Sequence, residues 1–71
     1  MTGRPEKHSL TLRGHRTSVS MEAEFWQEFR RLALSRSLSL NALAAEIDET
    51  RPPEVGLASA IRVHILKSLR S

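Results

Sequence analysis

The chain has no cysteine in its 71 residues, so no disulfide staples it, and cysteine usage leaves the redox compartment open. It also has no apolar run near the roughly 20 residues needed to span a bilayer. Met1-Thr2-Gly3-Arg4-Pro5-Glu6-Lys7 has no apolar stretch behind it and does not read as a signal peptide; the expectation is a soluble, cytoplasmic protein. Aromatic residues are scarce: Phe25, Trp26 and Phe29 fall within one five-residue stretch. There is no phosphate-cradling glycine loop and no nucleophile–base pair. His8, His15 and His64 are scattered and have no cysteine to complete a metal set. Glu46 and Asp48, two apart on a helix, face different directions and make a poor carboxylate pair. The expectation is therefore a protein that is not an enzyme and has no cofactor and no metal.

What is present is short and unevenly charged. The length allows one small domain near the lower limit for a self-sufficient core, and such domains often complete their core by oligomerising. Residues 1–21 carry Arg4, Lys7, Arg13 and Arg16 against Glu6, a net +3. Residues 22–50 carry three arginines against six carboxylates, a net −3, and the remainder returns to +3. A basic leading segment suits a partner that is a polyanion, although solvated charge alone also produces such blocks.

Along the chain, residues 1–7 read as a flexible basic arm. In His8-Ser9-Leu10-Thr11-Leu12-Arg13 the leucines alternate with polar neighbours, which suggests a short extended segment. Gly14-His15 is then either a tight hairpin turn or a kink in one longer arm. His15-Arg16-Thr17-Ser18-Val19-Ser20-Met21 alternates again. Thr17, Val19 and Met21 point one way and Arg16, Ser18 and Ser20 the other. A lone strand cannot satisfy its own backbone, so about 15–20 needs a partner strand and a floor.

Ser20 is placed to cap a helix from about 21 to 35, with Glu22 and Glu24 at the positive end of its dipole. Phe25, Phe29, Leu32 and Arg36 run along one stripe of that helix. Ser39 caps a second helix over about 40–50, in which Leu40, Leu43, Ala44 and Ile47 share a face. Arg51-Pro52-Pro53 ends it. A third helix over about 57–70 places Leu57, Ile61, Ile65 and Leu69 on one face and leaves Val63 off it. Residues 8–71 read as a single domain.

Arg16-x-Ser18-x-Ser20-Met21, then an amphipathic helix, a short turn, Ser39 and a second helix, resembles the ribbon-helix-helix DNA-binding family. The likeness is closest to short bacterial members of that class. It extends over about residues 8–70 and includes the helix start Leu38-Ser39-Leu40-Asn41-Ala42-Leu43. The resemblance implies a mainly α fold with one short β-strand per chain and an added C-terminal helix. It also implies an intertwined homodimer whose two strands, one from each chain, form an antiparallel ribbon, with association into larger arrays on DNA left open. Thr17, Val19 and Met21 would then make the dimer. Thr17 departs from the usual Val or Ile, so its hydroxyl must bond to backbone or lie near the ribbon's end.

The implied partner is double-stranded DNA. Arg16, Ser18 and Ser20 would read bases in the major groove, where each base pair shows a distinct donor and acceptor pattern. Ser39, Leu40 and Asn41 would hold a phosphate at the second helix start, with Lys7, Arg13 and His15 adding phosphate contacts. The plainer readings are a solvated ribbon face and a serine that is only a cap, since capping and phosphate binding share one geometry. Two function classes follow: a dimeric DNA-binding repressor, and an adaptor or antitoxin-like module whose last helix binds a partner protein. A solvent-exposed Val63 would favour the second.

Overall fold

The computed structural model describes residues 3–70. It contains β1 (Glu6–Leu12), β2 (His15–Met21), α1 (Ala23–Ser35), α2 (Leu40–Thr50) and α3 (Leu57–Arg70). The two strands pair antiparallel with each other, Leu12 opposite His15 at the turn and Glu6 opposite Met21 at the far end. The ribbon therefore forms within one chain. The expected single strand per chain is corrected to two, because the Leu10–Leu12 segment supplies the partner. Of the expected arm, Met1 and Thr2 lie outside the described residues, while Glu6 and Lys7 belong to β1.

The turn explains how the chain reverses in two residues. Arg13 and Gly14 both have positive φ, 51° and 82°, as a type I′ hairpin turn requires. Gly14 adopts this freely, but Arg13 carries a β-carbon into a region that costs about 1–2 kcal/mol. Its guanidinium is anchored against the end of α2, where it donates to the Ala45 carbonyl at 3.3 Å. It also lies 3.3 Å from a Glu49 carboxylate oxygen and 3.8 Å from one of Asp48.

One face of the ribbon closes the core. Leu10, Leu12, Val19 and Met21 are buried against Phe29 and Ala33 of α1, Leu43, Ala44 and Ile47 of α2, and Ala60, Ile61 and Ile65 of α3. Each fully buried large side chain contributes about 1.5–3 kcal/mol. Val19 and Met21, expected at a dimer seam, thus sit in the core of their own chain. Thr17 is exposed on the same face. It lines a cleft near the hairpin tip with Asp48 and Arg51, where the helical floor stops. At the opposite end His8 stacks on Trp26, ring centroids 3.8 Å apart and 5° from parallel.

The strand runs one residue further than the sequence suggested, and this shifts the first helix. Met21 is fully buried in register with Glu6, so Ser20 remains an outward strand residue. Glu22 takes the N-cap position, with no side-chain cap. Arg36, expected on the apolar stripe of α1, is instead the exposed C-cap residue and pairs with Glu46 at 2.7 Å. That bond holds the Glu46 carboxyl below the usual carboxylate range. Ser37 follows with φ 57°. Leu38 N–H donates to Ala33 O and Ser37 N–H to Leu34 O, the bond pair of a Schellman stop.

Candidate nucleic-acid interface

The outward face of the ribbon is a polar grid. The register places Lys7 opposite Ser20, Ser9 opposite Ser18, and Thr11 opposite Arg16, and all six are exposed. Sequence reasoning found the β2 row and Lys7 but missed Ser9 and Thr11. The signal was the same alternation: with Leu10 and Leu12 inward, Ser9 and Thr11 must point outward.

The two edges of this ribbon differ. Thr11 N–H donates to Asn41 Oδ1 at 3.0 Å, so it faces away from β2. Thr11–Arg16 is therefore a non-hydrogen-bonded pair, and by alternation so are Ser9–Ser18 and Lys7–Ser20. The backbone groups of Arg16, Ser18 and Ser20 accordingly face out along the β2 edge. The Ser20 carbonyl confirms this by accepting from Arg62 Nη2 at 3.1 Å. Among the described residues no hydrogen bond from outside the ribbon reaches the backbone of Arg16 or Ser18.

Arg62 was not foreseen, because its partners lie 40 residues away. Its Nε and Nη2 donate to Glu22 Oε1 at 3.1 and 2.8 Å, and its guanidinium carbon lies 5.7 Å from the Phe25 ring centroid. The hydrogen bond from Arg62 holds the Glu22 carboxyl below the usual carboxylate range. Arg62 thus pins α3 to the junction of β2 and α1.

At the start of α2, Ser39 Oγ accepts from Ala42 N–H at 3.0 Å, and Leu43 N–H donates to Ser39 O. The N–H groups of Leu40 and Asn41 precede the first intrahelical bond and point out of the helix start. Asn41 also ties this helix start to the turn end of β1 through Thr11. Of the remaining expected residues, Arg13 faces the carboxylates of α2. His15 is exposed beside the turn, opposite Leu12.

The family model of the ribbon-helix-helix domain matches residues 5–69. The chain belongs to the ribbon-helix-helix family. No curated protein and no solved structure matches it. Ribbon-helix-helix domains are usually DNA-binding transcription regulators and typically bind DNA as dimers. Among the described residues, no helix is long and apolar enough to cross a membrane.

Proposed function

We propose that this ribbon-helix-helix chain is a sequence-specific DNA-binding protein that acts as a dimeric transcriptional repressor. The observation that carries the reading is the exposed, wholly polar outer row of β2. Arg16 can donate two bonds to guanine O6 and N7, worth roughly 1–3 kcal/mol of base discrimination, while Ser18 and Ser20 donate or accept and read less sharply. The outward N–H groups of Leu40 and Asn41, beside Ser39, suit a phosphate at the positive end of α2. Arg13 is engaged by Asp48 and Glu49, so contacts from the hairpin to the DNA backbone rest on Lys7 and His15. The open β2 edge suits pairing with a second copy.

A salt series of binding to genomic duplexes tests the reading. Affinity should fall by about a thousandfold or more between 50 and 200 mM salt if several phosphates are neutralised. Arg16→Ala should flatten base preference and retain much of the non-specific binding. Absence of both effects in a folded protein would sink the proposal.

A second reading is favoured by one observation. Val63, Leu66 and Leu69 of α3 stand 48, 50 and 57% exposed at helical spacing, which suits a protein partner on the last helix. A paired Leu66→Glu and Leu69→Glu variant that binds DNA normally but no longer represses would support that role. Undiminished repression would remove it.

A further inference from the structure

The ribbon carries a second outward row, Lys7, Ser9 and Thr11 of β1, of which Lys7 alone has a proposed contact. The role of the whole row rests on the DNA reading above and on the unequal edges of the ribbon. On the β1 edge the Thr11 N–H gives its single hydrogen to Asn41 Oδ1 of α2, whereas the Ser20 carbonyl on the β2 edge accepts from Arg62 and can still accept a second bond. The β2 edge is open along Arg16 to Ser18. A second strand can pair along β2 without displacing a bond, while pairing along β1 would displace Asn41 from Thr11.

Antiparallel pairing of two β2 edges about a two-fold axis at Ser18 sets Arg16 of one copy opposite Ser20 of the other. The strand order becomes β1-β2-β2-β1. Neighbouring strands lie about 4.8 Å apart, so the two β1 strands stand about 14 Å apart. The major groove of B-DNA is about 12 Å wide. It admits the central pair but not the outer pair, which must ride over the groove walls where the sugar–phosphate chains run. A second observation agrees: the start of α2, whose N–H groups point outward, is bonded to the turn end of this same β1 edge.

The geometry points to β1 as a phosphate-contacting row, divided in labour from the base-reading row of β2. The Lys7 ammonium supplies charge, and the Ser9 and Thr11 hydroxyls donate to phosphate oxygens. Such contacts fix position without carrying sequence information.

The test measures binding of the full chain to a selected operator and to base-substituted versions of it across a range of salt. The variants are Lys7→Gln, the pair Ser9→Ala with Thr11→Val, and Arg16→Ala, each checked for helix content. Lys7→Gln should lower the slope of log K against log salt by about two per dimer, one for each lysine. The β1 hydroxyl pair should weaken all duplexes by the same several-fold factor and keep their rank order, which Arg16→Ala alone should change. If the β1 variants reorder the duplexes, β1 itself lies in the groove and the proposal is overturned. Unchanged affinity and slope in those variants, with Arg16→Ala still altering base preference, overturns it as well and spares the DNA reading. No duplex binding by the unaltered chain removes the DNA reading and this proposal together.

Discussion

The two edges of the hairpin have the same length and nearly the same outward polarity, yet they are finished differently. Among the described residues each edge takes one bond from outside the ribbon: on β1 the Thr11 N–H gives its single hydrogen to Asn41 of α2, and on β2 the Ser20 carbonyl accepts from Arg62 and keeps a second lone pair. An unpaired strand edge is a template for another strand, and proteins usually blunt the edges they do not use. The edge that keeps every outward N–H is the one that suits a second strand under the proposed dimer. A side chain that points outward can serve DNA on either strand, but among the described residues only β2 keeps all its outward N–H groups clear of bonds from outside the ribbon.

The contrast is broken most severely by proline at the open edge. Ser18→Pro removes an N–H that faces away from β1, so the hairpin itself should tolerate it. In a pair of copies joined at Ser18 it deletes two hydrogen bonds and adds a steric block. Self-association should weaken by about a hundredfold or more, read by sedimentation equilibrium, with helix content retained. Ser18→Ala, which keeps the N–H, should leave association unchanged. A Ser18→Pro chain that still forms a full-strength dimer would show that the edge is not the seam.

A smaller effect is expected at the β1 edge. Asn41→Ala leaves the Thr11 N–H without its partner and should cost about 1 kcal/mol of folding stability in urea titration. Dimerisation should not change. A loss of association equal to that of Ser18→Pro would erase the distinction between the edges.

The smallest effect concerns the clamp at Ser20. Glu22 is held below the ordinary carboxylate range in the folded chain, so the stability it contributes is complete above that range. It is lost as pH falls through the depressed folded value. Arg62→Met should destabilise the chain at neutral pH, and the gap from the unaltered protein should narrow in acid. Urea midpoints across that pH range provide the check. A gap that is constant with pH would mean that Arg62 acts through Ser20 O and Phe25 and not through the Glu22 charge.

Much of this fold is legible in the residues because two periods are written cleanly. Alternation marks β2, and the i, i+3, i+4 spacing of Leu40, Leu43, Ala44 and Ile47 marks a buried helix face. The origin of the partner strand is not legible. Gly14 announces a turn, but Arg13 is an unusual residue for positive φ, and what anchors it there is a set of carboxylates more than 30 residues away. Ser20 misleads for a related reason: a serine suits both a helix cap and an outward strand position, and only the burial of Met21 decides. At the candidate site the β2 row can be read locally, whereas Ser9 and Thr11 gain their place from the hairpin register. Arg62 gains its place from tertiary packing alone.

The stack of His8 on Trp26 gives the molecule a built-in optical gauge. Trp26 is the only tryptophan, and its ring lies under a residue of β1 while belonging to α1. Peeling β1 away uncovers the indole and moves its emission toward that of a solvated ring, while far-ultraviolet dichroism, dominated by the three helices, changes little. Emission and dichroism together therefore separate loss of the first strand from loss of the whole fold, without any label attached to the chain.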